Sequence, residues 1–184
     1  MAAGERLICR AARPSDVEAI AALHADSWRR HYRGAYSDAF LDGDVTADRL
    51  LVWTHRINEP QPGQVTMVAE RAGRLIGFAH TIFDEDPVWG ALLENLHVTY
   101  GLKRSGVGTR LMAATANVVV EARPSAGLHL WVLEQNVAAQ AFYEARKGVC
   151  VERAVAVAPG GDASRLNGEP ERLRYAWRDP SVLI

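Results

Sequence analysis

Cysteine is scarce in this chain: 184 residues hold only Cys9 and Cys150, far apart and in no C-x-x-C pair. That excludes a disulfide-stapled scaffold or a cysteine-rich metal centre. Both thiols flank apolar runs, so the expectation is two buried thiols in a reducing compartment. Long hydrophobic runs are also missing, and no stretch approaches the ~20 apolar residues a membrane-spanning helix needs. The opening MAAGERLICR carries no signal-type apolar segment, which makes the expected location cytoplasmic. An excess of one charge sign is absent too. Lys and Arg number 21 against 22 Asp and Glu, a net charge of −1, so no general attraction to nucleic acid or to an anionic membrane is expected. The six histidines show no metal-ligand spacing, so no metal is expected. Neither G-x-x-x-x-G-K-[ST] nor G-x-G-x-x-G occurs, which argues against the common nucleotide-binding enzymes.

What is present is ordinary globular material, 48% hydrophobic and 23% charged, read as one domain over residues 1–184. RLICRA (6–11) reads as a strand. RPSDVEAIAALHADSW follows as an amphipathic helix, with Ser15 and Glu18 as a capping box and Val17, Ile20, Ala21 and His24 at helical spacing. A looser helical region spans 37–57, interrupted by Gly43, with Thr46 as a second cap. VTMVAERAGRLIGFAHTIF predicts a hairpin turning at Ala72-Gly73. DEDPVWG (84–90) is an acidic loop, and ALLENLHV is a central strand. Val107, Leu111, Ala114 and Val118 mark one face of a helix that ends before Pro124. LHLWVL is a strand, Asn136 caps the helix VAAQAFYEARK, and VCVERAVAVA and RLRYAW are the last strands. A loop covers 159–170 between them. The order β-α-α-β-β-β-α-β-α-β-β predicts an α/β (α+β) fold: a mixed, mostly antiparallel sheet with helices on both faces.

The most informative stretch is LHVTYGLKRSGVGTRLM, where a strand becomes a helix through a basic glycine turn. Such a turn directs free backbone N–H groups into one concavity at the positive end of the helix dipole. Gly106 and Gly108 leave room for a phosphate to approach the main chain. Lys103, Arg104 and Arg110 bring cations, and Ser105, Val107 and Thr109 complete the turn. Read by itself the K-x-x-G-x-G pattern is also compatible with a plain tight turn.

ENLHVTYGLKRSGVGTRLM and LWVLEQNVAAQAFYEARKG, in this order and spacing, resemble the two late motifs of the GNAT acetyltransferase superfamily. The opening ICRAARPSDVEAIAALHADSW is similar to that of many bacterial members. The resemblance covers nearly the whole chain. It implies splayed central strands and an acetyl-CoA-dependent N-acetyltransferase acting on a primary amine of a small molecule or peptide, with a homodimer possible. It implies that 103–109 holds the pyrophosphate of acetyl-CoA. The strand end Leu96, His97 and Val98 would pair with the pantetheine arm, and the Val98 amide would face the thioester oxygen. Asn136 would bond the arm, and Tyr143 would act on the departing thiolate as general acid, with Phe142 the better core residue. Lys103 stands where the family usually has Gln or Arg, and ARKGVCVE lacks the family's aromatic.

Strand alternation puts Leu92, Glu94, Leu96 and Val98 on one face. Some members of the family it resembles carry their base on this face, at positions matching Leu92 or Glu94; Leu92 cannot take a proton, which leaves Glu94, a carboxylate expected among apolar neighbours with a raised pKa. His97, expected on the other face, and Glu134 are rival bases. In the family the region matching WRRHYR (28–33) borders the acceptor site, so the resemblance implies that place for it here, although a solvated helix end accounts for its cations. Asp84, Glu85 and Asp86 are expected at the acceptor mouth. A non-catalytic acyl-CoA sensor of the same fold is the alternative function.

Overall fold

The computed structural model describes residues 6–102 and 104–184; Lys103 lies outside the described residues. The predicted hairpin is present. Ala72 and Gly73 both take positive φ, 53° and 70°, and reverse the chain between β2 (Gln64–Arg71) and β3 (Arg74–Asp86). A two-residue turn of this hand matches the twist of the strands it joins. β3 then pairs antiparallel with β4 (Gly90–Val98), and β1 (Ile8–Ala11) pairs antiparallel with β2. β5 (Leu128–Leu133), β6 (Val149–Val155) and β7 (Glu171–Trp177) complete one seven-stranded sheet in the order β1-β2-β3-β4-β5-β7-β6. Every neighbouring pair is antiparallel except β4 and β5.

Strand alternation feeds two faces. Val68 and Phe78 point toward α1 (Val17–His31) and α3 (Val45–Asn58), where they pack with Ile20 and Trp53. Ala69 and Ala79 point the other way, into the core under α4 (Val107–Ala122), with Leu111, Met112 and Val119. The buried stripe of α4 is Val107, Leu111, Met112, Thr115, Ala116 and Val119, rotated from the predicted Ala114 and Val118. The looser helical region is two helices, α2 (Asp38–Asp42) and α3, broken at Gly43; Asp44 rather than Thr46 precedes α3. α5 (Val137–Glu144) follows β5. No helix among the described residues is long and apolar enough to cross a membrane.

Three further expectations are corrected. The Ser15–Glu18 capping box does not form. A 3₁₀ turn, Pro14–Asp16, leads into α1, and buried Asp16 accepts from the Arg13 amide (2.7 Å) and from Arg10 (2.7 Å). The thiols are not both buried: Cys9 is half-buried and Cys150 exposed, both free, on β1 and β6. Those strands are opposite edges of the sheet, where one flank has no neighbouring strand to cover it. The acidic loop is a hairpin end whose carboxylates are engaged. Asp84 pairs with Arg123 (2.7 Å), Asp86 with Arg174 (2.6 Å), and Glu85 lies 3.2 Å from His129.

Candidate active site

β4 and β5 are hydrogen-bonded only where Ala91 meets Leu128 and Leu92 meets His129. At that closed end Gly90 (φ +80°) and Gly127 let the chains approach so closely that a Cβ on Gly90 would lie 2.4 Å from the Gly127 oxygen. Beyond Leu92 the parallel strands separate. The Thr99 amide donates to the Ile76 oxygen (2.9 Å), so Thr99, and by alternation His97, turns its backbone toward β3. Leu96 and Val98 therefore turn their amides and carbonyls into the gap, where no strand receives them. The resemblance names His97 together with Leu96 and Val98 for the pantetheine arm, but the His97 backbone is committed to β3.

The gap opens into a cleft of about 550 Å³, lined by Leu96, His97, Val98, Arg104, Gly108, Asn136 and Tyr143 among others. At its entrance the chain passes from β4 through a 3₁₀ turn, Tyr100–Leu102, into α4. Arg104 (φ 64°) and Gly106 (φ 82°) are both left-handed. Left-handed positions set among right-handed ones gather successive N–H groups into an anion-binding nest. Gly106 is the N-cap of α4 and has no side chain to cap it, so the first-turn amides, including Val107, Gly108 and Thr109, have no intrahelical acceptor. A Cβ on Gly106 would meet nothing within 4 Å, whereas one on Gly108 would press on the Phe142 ring at 3.2 Å. The first glycine faces open space and the second serves packing. The Ser105 hydroxyl is taken by the Leu102 oxygen (2.6 Å). The Thr109 hydroxyl is taken by Arg146, whose guanidinium lies 3.6 Å over Phe142. The basic EARKG segment thus brings to the turn a cation that the sequence reading passed over.

Asn136 caps α5, its Oδ1 accepting from the Ala139 amide (3.3 Å), and also borders the cleft. Tyr143 is the buried member of the aromatic pair, at 8% exposure, while Phe142 is only partly buried. Burial pushes the Tyr143 phenol above its ordinary range, with the Tyr32 phenol across the cleft adding to the effect. Tyr32, in the WRRHYR segment, is pushed up to about 12 by burial; it stacks on Trp28 while Arg30 and Arg33 of the same segment pair with exposed aspartates. Arg30 and Arg33 are thus solvated, Arg29 is half-buried and donates to the Leu41 oxygen (2.8 Å), and Trp28 and Tyr32 turn inward.

Glu94 departs from expectation. A β-bulge interrupts the β3–β4 ladder: His80 faces Asn95 and Thr81 faces Leu93, leaving Glu94 without a partner. The bulge reverses the alternation, so Leu96 and Val98 pack toward α4 while Glu94 points to α3. There Arg56 grips both its oxygens, one at 2.9 Å. The expected apolar surroundings are absent, yet Glu94 still lines the cleft. His97 lies on the same side as Glu94, not opposite it. Its ring is buried against His24 and its Nδ1 lies 2.8 Å from Ser27 Oγ; burial holds its pKa down to about 3. Glu134 is bound by Arg153. Asp84, Glu85 and Asp86 stand at the closed end of β4, away from the expected acceptor mouth, because β3 and β4 continue to their hairpin there.

The family model described as Acetyltransferase (GNAT) family matches residues 22–148. A probable N-acetyltransferase from Mycobacterium tuberculosis is 30% identical over 138 residues, 73% of this chain and 75% of that protein. Among solved structures, PaiA N-acetyltransferase from Thermoplasma acidophilum in complex with coenzyme A aligns with a TM-score of 0.67 at 18% identity, covering 94% of this chain and 99% of that one. Arabidopsis thaliana NAA60 in complex with a bisubstrate analogue aligns with a TM-score of 0.68 at 17% identity, over 94% and 97%.

Proposed function

The chain belongs to the GNAT acetyltransferase family, and we propose that it is a cytoplasmic enzyme that transfers the acetyl group of acetyl-CoA to a primary amine by direct attack. The observation that carries the reading is the separation of β4 from β5, with the Leu96 and Val98 backbone facing the gap and a free helix N-terminus at its mouth. In this reading the amides of 106–109, with Arg104 and Arg146, hold the pyrophosphate, and Leu96, Val98 and Asn136 align the pantetheine arm. The Val98 amide polarises the thioester carbonyl. The amine nitrogen bonds to the carbonyl carbon, the C–S bond breaks, and the ammonium proton leaves.

In this reading Tyr143, which lines the cleft, donates to the thiolate. A phenol held above its ordinary ~10 is a weaker acid than a thiol near ~8.5. Tyr143 therefore stabilises the departing sulfur chiefly through its hydrogen bond, without surrendering the proton. Glu94, steered by Arg56, takes the amine proton through a water. Calorimetry with acetyl-CoA and CoA release over a panel of primary amines test the proposal. Binding followed by acetyl-amine formation is expected. Binding without turnover of any amine would favour the acyl-CoA sensor.

A further inference from the structure

β7 sends Leu173, Tyr175 and Trp177 into the core beneath α4. Alternation sends Arg172 and Arg174 to the opposite face, that of Trp131. Trp131 lines the cleft, and both guanidiniums lie over its ring, Arg172 at 4.0 Å and Arg174 at 4.6 Å. The two cations are treated very differently. Arg174 is neutralised by Asp86 at 2.6 Å and Glu152 at 3.0 Å. Arg172 has no ion pair and no side-chain hydrogen bond among the described residues, and its Nε is buried without a partner. Glu152 and Glu85 act on it only from a distance, and burial with the neighbouring Arg174 weakens its hold on its proton. A half-buried guanidinium that lacks a counter-ion is costly to keep.

We infer that the missing counter-ion is a carboxylate of the acceptor, so that the substrate is a small amine carrying its own carboxylate, read by Arg172 beside Trp131. The inference rests on the N-acetyltransferase reading. The planar guanidinium suits a carboxylate, which it can grip by two parallel hydrogen bonds. A phosphate dianion fits less well, because the adjacent cation is already neutralised and carboxylates stand nearby. The anionic group lies on the α1–α2 side of the sheet. There the Tyr36 phenol is within electrostatic reach of Arg172, and the β6–β7 connection is tied down through the Ser37 amide to the Arg165 oxygen (2.9 Å) and the Asn167 amide to the Ala35 oxygen (2.9 Å).

The test compares α- and ω-amino acids with their carboxamides, as acceptors by CoA release and, as N-acetylated forms, by calorimetry on the CoA-saturated protein. The parent should favour at least one carboxylate over its amide by ~30-fold or more, the scale expected when a buried charge loses its partner. In Arg172→Gln that ratio should fall toward one while transfer to the amide persists, and Arg172→Lys should keep part of it. Equal use of acids and amides, or no turnover and no binding of any carboxylate probe, overturns the inference while leaving acetyl transfer to other amines intact. A ratio unchanged in a folded Arg172→Gln assigns the carboxylate to another residue and overturns it too. Failure to bind acetyl-CoA, measured first and without acceptor, overturns the underlying reading and the inference with it.

Discussion

Tyr143 and Glu94 differ in how their surroundings prepare them. Tyr143 is enclosed, ringed by Phe142, Tyr175 and Trp177, and burial keeps its phenol protonated. Tyr143→Phe keeps those ring contacts and deletes one donor. A fall in kcat of ~10²-fold is expected, at the low end for a proton-handling group, with acetyl-CoA affinity unchanged by calorimetry. An unaltered kcat, with chemistry shown to limit the rate, would leave Tyr143 a packing residue. Glu94 is instead held by an arginine at the surface of the cleft. Glu94→Gln retains the size and loses the charge, so kcat/KM should drop most near neutral pH, and the acidic limb of the pH profile should move. Arg56→Gln should reproduce part of that loss if the arginine aims the carboxylate. Superimposable profiles for parent and Glu94→Gln would make the pair structural. Tyr143 was legible because the motif fixes it on its helix. The partner of Glu94 was not, because Arg56 is 38 residues away and nothing local joins them.

At the scale of elements, the glycine turn makes a sharp contrast between two positions. Gly106 faces open space at positive φ, and Gly108 touches Phe142. Gly106→Val should weaken acetyl-CoA binding by more than tenfold and cost roughly 1–2 kcal/mol from the strained left-handed position. Gly108→Val should lower Tm further, since its branched side chain must displace the Phe142 ring. Lys103→Ala should change binding little, because backbone amides carry the contact. If Lys103→Ala proved the more damaging for binding, the side chain and not the nest would be the anchor. The turn could be read from sequence because glycine and cations announce it. The Ala72-Gly73 hairpin was legible for the same reason, its turn lying between two β-rich runs. The bulge at Glu94 has no such mark: ALLENLHV alternates acceptably in either register, and only pairing with β3 inserts the extra residue. The start of α1 was misread because Asp16 outcompetes Ser15 and Glu18. Its carboxylate reaches both the Arg13 amide and Arg10, a partner the strand β1 supplies.

For the molecule as a whole, the layer between α1, α3 and the sheet contains an unusual concentration of buried imidazole. His24 Nδ1 accepts from the Trp53 indole N–H (2.9 Å), His80 Nδ1 meets Thr66 Oγ1 (2.8 Å), and His97 meets Ser27. The Nε2 atoms of His24 and His80 are buried without partners. Burial lowers all three: His97 to about 3, His80 to about 4, and His24 well below its ordinary value, with His97 and Arg49 reinforcing the effect on His24. Protonating His24 would also place a proton where the Trp53 N–H already donates. The sign follows from these depressed values. Between the unfolded histidine pKa near ~6.5 and the folded values, the unfolded chain binds more protons, so stability falls as pH falls. The carboxylates of Asp16, paired with Arg10, and Asp86, paired with Arg174, are both held below their ordinary range, so they do not offset the histidines between pH 6.5 and 5. His80 and His97 each contribute about 1.4 kcal/mol per pH unit below ~6.5, so the two together remove roughly 3 kcal/mol at pH 5.5, and His24 acts in the same direction. For a chain of this length that corresponds to a Tm lower by roughly 10 °C. Thermal unfolding should therefore show a nearly constant Tm above neutrality and a steep decline from pH 6.5 toward 5. His80→Gln, which removes one titrating ring, should shallow the decline relative to its own value at pH 7.5. A Tm that holds steady or rises between pH 6.5 and 5.5 would mean that these imidazoles take up protons in the folded protein, and that the layer is wetter or more adaptable than its packing indicates.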